Sequence, residues 1–152
     1  MNEIRYASKE DSNLIIKGII EICNLEKEKP ETKNKLTKQT KNAIQRKEIR
    51  IITLDHKPIG FVQYKFTKKT PYGIDYGNSE NKFCWIDWFY ITKEHRKKGF
   101  GETLIKDLKL ISKKKQISEI MLDVFNINNK AIKFYKKEGF KDYIQISRKK
   151  IN

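Results

Sequence analysis

The chain has 152 residues, of which 38% are hydrophobic and 35% are charged, and its formal net charge is +15. This length and apolar content fit a single domain with its own core and exclude a wholly disordered chain. No apolar run approaches the roughly 18 residues of a membrane span, and the N-terminal residues lack the apolar stretch of a signal peptide.

The positive charge favours anionic partners such as nucleic acid, an acidic membrane or a phosphorylated cofactor. The lysines are nevertheless scattered over nearly every segment, so a general lysine bias would explain the charge equally well. Cys23 and Cys84 lie far apart without the spacing of a metal site. We therefore predict no metal and a reducing, cytoplasmic compartment.

The pattern of apolar residues predicts a single domain that spans residues 1–152, with six strands and four helices. Asp11 or Ser12 can cap the first helix, and Gly139 can end the last one. The predicted strands are residues 3–7, 48–55, 57–67, 82–92, 117–125 and 140–149. The predicted helices are residues 12–28, about Thr37–Lys47, 101–115 and 128–139. Strand and helix alternate in the second half, which indicates an α/β fold with a parallel or mixed sheet.

The stretch EHRKKGFGETL, residues 94–104, joins an apolar strand to a helix. Glycines at positions 99 and 101 let backbone N–H groups approach a ligand. The helix that follows directs its positive end to the same place. Arg96, Lys97 and Lys98 add positive side chains. A phosphate-binding loop and a plain charged turn both explain this stretch. The residues around it are needed to distinguish the two interpretations.

The surrounding residues resemble the GNAT N-acetyltransferase superfamily. Arg96 to Gly101 match the family's R/Q-x-x-G-x-G/A loop, and residues 128–140 match its N-x-x-A-x-x-x-Y-x-x-x-G-F signature. The matching residues of this signature are Asn128, Ala131, Tyr135, Gly139 and Phe140. The resemblance implies a mixed central sheet of six to seven strands, helices on both faces, and a splayed pair of strands that holds CoA. A dinucleotide-binding fold is disfavoured, because the loop is not G-x-G-x-x-G.

The resemblance also implies acetyl-CoA as the cofactor. Backbone amides of the loop would bind its pyrophosphate, and the main chain of the preceding strand would pair with its pantothenate arm. Asn128 would contact the same arm. The implied cofactor-binding residues are Phe89, Tyr90, Ile91, Arg96, Lys97, Lys98, Gly99, Phe100, Gly101, Glu102, Asn128 and Tyr135.

Acetyl transfer to an amine needs a neutral amine, a hydrogen-bond donor for the developing oxyanion and a proton for the departing thiolate. Tyr135 is the candidate acid, with a core aromatic as the alternative. Asp87 is the candidate base, because an acid within FCWIDWFYI is costly to bury without a partner. A structural hydrogen-bond acceptor is its alternative, and Asp123 on the neighbouring strand is a second candidate base.

The strand at 57–67 and the aromatic strand at 82–92 resemble the diamine and polyamine branch of the family. Asp87 stands nine positions before Arg96, where that branch has a glutamate, whereas Trp88 replaces a residue that is often acidic there. Candidate substrate-binding residues are Glu26, Glu28, Trp85, Asp87 and Asp123. The slot is the part of the site that would hold the acceptor amine. Further candidates to line this slot are Glu31, Tyr72, Asp75, Tyr76, Glu80 and Trp88.

Three functions remain open. The first is a small-amine N-acetyltransferase, which we expect to act as a homodimer without a nucleic-acid or membrane partner. The second is an N-acetyltransferase for a protein or peptide amine. The third is a basic nucleic-acid-binding module. The polar loop at residues 68–81 discriminates between the first two, because a loop packed over the slot favours a small substrate.

Overall fold

The structure is a computed structural model that describes residues 1–73 and 81–151. In this part of the chain it contains five strands and four α-helices. In chain order these are β1 (Asn2–Tyr6), α1 (Ser12–Leu25), α2 (Lys33–Gln45), β2 (Ile49–Leu54), β3 (Lys57–Thr67), β4 (Phe83–Ile91), α3 (Phe100–Lys114), β5 (Ile120–Leu122) and α4 (Asn129–Lys137). None of the helices in the described ranges is long and apolar enough to cross a membrane.

The five strands form one mixed sheet in the order β1-β2-β3-β4-β5. The three pairings among β1 to β4 are antiparallel, whereas β5 runs parallel to β4. The β4–β5 pairing extends only from Cys84 opposite Ile120 to Ile86 opposite Leu122. Beyond Ile86, β4 continues to Ile91 without a described strand on that side. The gap expected between these two strands is therefore present.

Helices cover both faces of the sheet, as the sequence predicts. On one face, Ile15 and Ile19 of α1 pack with Phe61 and Tyr90 of the sheet, together with residues of α2. A separate apolar cluster on the other face contains α3. Its buried members are Ile52, Ile59, Val62, Tyr64, Cys84, Ile86, Ile91, Leu104, Ile105, Leu108 and Ile117. The strand β4 contributes to both clusters, so its side chains are fixed from both sides.

The prediction of six to seven strands is wrong, because the expected last strand at 140–149 does not form in the described structure. Residues 141–151 have no secondary structure, and every one of them is exposed. The strand β5 is also shorter than predicted, with three residues in place of 117–125. A strand is stabilised by hydrogen bonds to a neighbour, and the sheet formed by the described residues does not include the segment after α4.

The helix α2 begins and ends earlier than predicted, at Lys33 and Gln45 rather than Thr37 and Lys47. Its first three residues, Lys33, Asn34 and Lys35, are polar and exposed, so the apolar pattern does not mark the helix start. That turn is stabilised instead by Thr32, whose hydroxyl accepts a hydrogen bond from the Lys35 N–H at 3.4 Å. A side-chain cap of this kind stabilises a helix start independently of its apolar face.

Candidate active site

The loop between β4 and α3 presents backbone N–H groups that the helix leaves open. Gly99 is the N-cap of α3, with a φ of 84° that favours glycine. The N–H of Thr103 donates to the Gly99 carbonyl at 3.1 Å and so forms the first bond of the helix. The N–H groups of Phe100, Gly101 and Glu102 precede it and have no intrahelical partner. Such a helix start is suited to an anion.

Gly101 serves a different purpose in the same loop. A Cβ at this position would lie 3.1 Å from a ring carbon of Phe134 on α4. The absence of a side chain therefore lets the Phe134 ring pack beside the start of α3. Phe134 also contacts Phe89 of β4, with 5.5 Å between ring centroids. The second glycine of the motif thus places the loop against both α4 and β4.

The Arg96 side chain is held by α1 and β4. Its Nη2 donates to Glu21 Oε1 at 2.6 Å, and its Nε donates to the Ile91 carbonyl at 2.8 Å. Glu21 also accepts a hydrogen bond from the Tyr90 hydroxyl at 2.6 Å. Burial opposes ionisation of Glu21, but the hydrogen bonds from Tyr90 and Arg96 outweigh it and hold the pKa of this carboxyl below its usual range. The Arg96 charge is consequently paired within the protein.

The other charged residues of the loop have different environments. Lys97 and Lys98 are exposed and have no ion-pair partner among the described residues. Lys97 adopts a φ of 59°, in the left-handed region. Glu102 accepts a hydrogen bond from Lys137 Nζ of α4 at 2.6 Å. Lys97 and Lys98 are therefore the loop cations that remain available to an anionic ligand.

A cavity of about 250 Å³ lies between β4, the segment after β5 and the start of α4. Carboxylates from three parts of the chain line it, namely Glu26, Asp87 and Asp123. Its other lining residues are Ile22, Pro71, Trp85, Ile86, Trp88, Phe89, Leu122, Val124, Phe125, Asn128, Ala131 and Tyr135. The predicted catalytic residues and four of the five predicted substrate-binding residues thus share one cavity. The exception is Glu28, which is exposed beyond the end of α1.

Asp87 is the extra residue of a β-bulge in β4. Gln63 pairs with Trp88 and Tyr64 pairs with Ile86, which leaves Asp87 without a partner on β3. Its carboxylate accepts a hydrogen bond from Lys65 Nζ at 3.3 Å. Burial raises the pKa of Asp87, and the nearby Glu48 and Asp123 raise it further, whereas Lys65 lowers it. The net result is a pKa above the ordinary value, as a general base requires.

Tyr135 lines the cavity from α4 with its ring between two other aromatic rings. The ring centroids of Phe89 and Phe140 lie 6.1 and 5.6 Å from that of Tyr135. Burial raises the pKa of Tyr135 well above its ordinary value, and the charges of Glu26 and Asp123 act in the same direction. The phenol is therefore protonated at neutral pH, and it is a weaker acid than an ordinary tyrosine.

Asn128 connects α4 to the acidic wall of the cavity. Its Oδ1 accepts a hydrogen bond from the Ala131 N–H at 3.2 Å and so caps α4, while its Nδ2 donates to Glu26 Oε1 at 3.1 Å. Burial raises the pKa of Glu26, the Asn128 bond opposes this, and the charges of Asp123 and Glu28 add to the rise. Asn128 thus positions Glu26 as well as the helix.

The described part of the loop before β4 also borders the cavity. Pro71 is one of the lining residues, and the Tyr72 hydroxyl donates to Asp123 Oδ2. Of the other slot residues named from the sequence, Glu31 pairs with Lys35 on the surface. Asp75, Tyr76 and Glu80 lie outside the described residues. Pro71 and Tyr72 are therefore the described residues of this loop that contact the site.

Sequence reasoning missed Glu21, because nothing in its local pattern distinguishes it from other acids of a solvated helix face. Pro71 was missed as an individual residue, although the length of its loop indicated a functional segment.

Cys23 and Cys84 are both buried and free. Within residues 1–73 and 81–151, no group of three or more His, Cys, Asp and Glu residues could hold a metal ion.

The geometry fits the two chemical parts of CoA. The side of β4 left unpaired beyond Ile86 has backbone groups that an amide-containing arm can bind. The N–H groups at the start of α3, with Lys97 and Lys98, suit a pyrophosphate. Tyr135 lies where these two features meet the cavity, because its ring contacts Phe89 of β4.

Comparisons with known proteins agree with this geometry. The model of the acetyltransferase (GNAT) family matches residues 17–140. A possible acetyltransferase from Clostridium difficile 630 is 23% identical, with 100% of this chain and 99% of that chain covered and a TM-score of 0.76. A predicted acetyltransferase from Clostridium acetobutylicum, solved with acetyl-CoA, is 18% identical over 97% and 96% of the two chains, with a TM-score of 0.68.

A third solved structure with the same fold is the aminoglycoside 6'-N-acetyltransferase AAC(6')-Ih from Acinetobacter baumannii. It is 15% identical, with 100% of this chain and 99% of that chain covered and a TM-score of 0.75. Identities at this level establish the fold, whereas the family model covers most of the chain and establishes membership. The chain therefore belongs to the GNAT family, as an N-acetyltransferase that uses acetyl-CoA.

Proposed function

We propose that the enzyme acetylates a primary amine of a small molecule that carries more than one positive charge, such as a diamine or polyamine. One observation carries the proposal, which is that Glu26, Asp87 and Asp123 line the same cavity as Tyr135. A substrate with two or more ammonium groups can pair with one carboxylate while another accepts a proton from the reacting amine.

Asp87 already pairs with Lys65. The hydrogen bonds to Glu26 and Asp123, in contrast, come from neutral groups, which are the Asn128 amide and the Tyr72 hydroxyl. A neutral acceptor would leave the charges of these last two carboxylates without an ion pair.

Asp87 has the role of general base in this proposal. A free alkylammonium has a pKa near ~10.4, so the acceptor needs to lose a proton before its nitrogen can form the new C–N bond. Asp87 takes that proton, directly or through one water. Its raised pKa makes it a better acceptor than an ordinary aspartate while it is ionised. Asp123 is the second candidate for this role.

Tyr135 is the proposed general acid. Acetyl-CoA supplies an activated acetyl group, and its C–S bond breaks as the C–N bond forms. The Tyr135 hydroxyl gives its proton to the departing thiolate, and solvent returns a proton to the phenol. A backbone N–H of β4 next to the Asp87 bulge is the proposed donor to the developing oxyanion, because a bulge frees main-chain groups from the ladder.

The described part of the loop before β4 favours a small substrate over a peptide. Tyr72 is hydrogen-bonded to Asp123, and Pro71 forms part of the cavity wall. A protein or peptide amine would need an open groove at this place. A peptide amine remains the second candidate function, and a nucleic-acid-binding role is a distant third.

The net charge of +15 opposes a cationic substrate only at long range. Salt limits such repulsion to a Debye length of about 8 Å at physiological ionic strength. The carboxylates of the cavity act at shorter distances and set the local potential.

A homodimeric state and a cytoplasmic location are also part of the proposal. The cytoplasmic location is proposed because Cys23 and Cys84 are free thiols.

The experiment is a thiol-release assay with acetyl-CoA against a panel of acceptors. The panel should contain diamines, polyamines, amino acids, peptides and amino sugars, since AAC(6')-Ih shows that the fold can accommodate an aminoglycoside acetyltransferase. The proposal predicts the highest kcat/KM for small acceptors with two or more amines. Peptides as the best acceptors would favour the second candidate, and CoA binding without any turnover would contradict the proposal.

A further inference from the structure

The Tyr72 hydroxyl reaches the cavity from the loop that precedes β4. It donates a hydrogen bond to Asp123 Oδ2, 51 positions away in the chain, although Tyr72 is 55% exposed. None of the proposed acid, base and cofactor-binding roles requires this hydroxyl. A hydrogen bond to an ionised carboxylate fixes the orientation of that carboxylate. Tyr72 is therefore placed to control how Asp123 meets a ligand.

A closed turn holds Tyr72 in this position. The Gly73 N–H donates to the Thr70 carbonyl at 2.9 Å, and this bond closes a four-residue turn with Pro71 and Tyr72 at its centre. The fixed φ of proline suits the second position of such a turn. Gly73 has a φ of 75°, which favours glycine. Thr70 is buried and so anchors the turn on the protein.

Asp123 differs from the other two carboxylates of the cavity in its partner and its depth. Asp87 pairs with Lys65, and its side chain is only 20% exposed. Glu26 is partly buried and accepts the Asn128 amide. Asp123 is exposed, so it lies on the solvent side of the cavity, and it has no ion pair within residues 1–73 and 81–151. Its charge is therefore accessible to a cation that enters from solvent.

We propose that Tyr72 is a positioning residue that determines substrate specificity through Asp123. Its hydroxyl holds one carboxylate oxygen of Asp123, and the other oxygen receives the ammonium group of the acceptor that does not react. Asp87, deeper in the cavity, faces the amine that does react. A carboxylate that is already oriented loses less conformational freedom when the ammonium binds. This inference rests on the proposed function, because it needs an acceptor with a second positive charge.

The first test compares diaminobutane with butylamine as acceptors. Tyr72→Phe should raise the KM of the diamine about two- to fourfold, as expected for one hydrogen bond lost at a half-exposed site. The kcat with the diamine, and both constants with the monoamine, should change by less than about 1.5-fold. Tyr6→Phe removes a hydroxyl from β1 as the matched control and should behave as the wild type.

Two outcomes of this comparison would overturn the proposal. An equal rise in KM for both amines would indicate a structural role for Tyr72, since a distorted cavity weakens both acceptors alike. A lower kcat with both amines would indicate that Tyr72 takes part in proton transfer.

The second test determines whether Tyr72 acts through Asp123. Asp123→Asn removes the charge that binds the ammonium, so Tyr72→Phe should have no further effect on the KM of the diamine in that background. Additive effects would overturn the proposal. A wild-type enzyme without a preference for the diamine contradicts this inference and the proposed function together. A preference that is lost in Asp123→Asn and kept in Tyr72→Phe contradicts this inference alone.

A third variant displaces Tyr72 and leaves every side chain of the cavity in place. A Cβ at Gly73 meets no described atom within 4 Å, so Gly73→Ala acts through the positive φ of this residue. It should raise the KM of the diamine as Tyr72→Phe does, and it should have no effect in a chain that already carries Tyr72→Phe. An effect of Gly73→Ala that persists in that background would overturn the proposal.

Discussion

The guanidinium of Arg96 lies 2.6 Å from the Glu21 carboxylate, measured from Nη2 to Oε1. The resemblance to GNAT enzymes places this arginine among the cofactor-binding residues, but its charge is already paired with α1. Its Nε bond to the Ile91 carbonyl joins the same side chain to the end of β4. We therefore propose a positioning role in the loop for Arg96, and direct anion binding by the backbone N–H groups, Lys97 and Lys98.

Glu21→Gln should weaken acetyl-CoA binding about three- to tenfold. If Glu21 fixes Arg96 and thereby the loop, loss of its charge loosens the N–H groups that bind the anion. The effect is modest because both side chains are about a third exposed, at 35% and 37%. Isothermal titration with acetyl-CoA measures it, with Glu31→Gln in the surface pair with Lys35 as the control.

A direct phosphate contact by Arg96 predicts the opposite sign for the same variant. Removal of the Glu21 charge would then release the guanidinium toward the phosphate and strengthen acetyl-CoA binding. Tighter or unchanged binding by Glu21→Gln would thus contradict the positioning role. A double variant with Arg96→Gln should show less than the sum of the two single effects, because the residues act together.

Tyr135→Phe should lower kcat about a hundredfold and change the Kd of acetyl-CoA by less than about threefold. The variant keeps the aromatic ring between Phe89 and Phe140 and removes only the proton donor. Stopped-flow thiol release gives the rate, and titration gives the affinity. Tyr6→Phe, on the first strand, is the matched control and should retain wild-type turnover. Equal kcat in Tyr135→Phe would remove this residue from the acid role.

The loop and the signature around Tyr135 were sufficient to recognise the family, which the family model confirms, because both depend on residues that are close together in the sequence. The sequence could not predict the Arg96–Glu21 pair, whose members are 75 positions apart. Nor could it predict the bulge that makes Asp87 an unpaired residue, since this depends on the register with Gln63 and Tyr64. Long-range pairing of this kind leaves no periodic trace in the sequence.

The sixth strand shows a different limit of sequence patterns. Residues 140–149 alternate in the manner of a strand, but alternation cannot identify the neighbour with which a strand will pair. The apolar run at 117–125 likewise predicts a longer β5 than the three residues that pair with β4. An edge strand has a single neighbour, and all its ladder hydrogen bonds depend on that neighbour.

Lys65→Met should shift the acidic limb of the pH profile of kcat/KM to higher pH. Asp87 has to be ionised to act as a base, and Lys65 lowers its pKa. Loss of this cation raises the pKa, so a more alkaline solution is needed to ionise the carboxyl. The pH profile of thiol release measures the limb, with Lys68→Met as the control. A limb that does not move would indicate that Asp87 does not control the rate.

Glu26→Gln should stabilise the protein at neutral pH. The pKa of Glu26 is raised in the folded state, so the folded chain binds more protons than the unfolded chain. Stability is therefore lost as pH rises from the ordinary glutamate pKa of about 4.3 through the raised value. Glutamine still accepts the Asn128 bond and cannot ionise. Urea unfolding should show a gain at neutral pH that disappears near pH 4.

The most direct measurement of the proposed function is the ratio of kcat/KM for a diamine to that for a monoamine of the same chain length. The acidic cavity predicts a preference for the diamine in the wild-type enzyme, by about two- to fivefold if one additional ion pair contributes roughly 0.5–1 kcal/mol. Glu26→Gln and Asp123→Asn should reduce this ratio toward one. A wild-type ratio near one, or a ratio that both variants leave unchanged, would contradict the proposal that these carboxylates select a multiply charged amine.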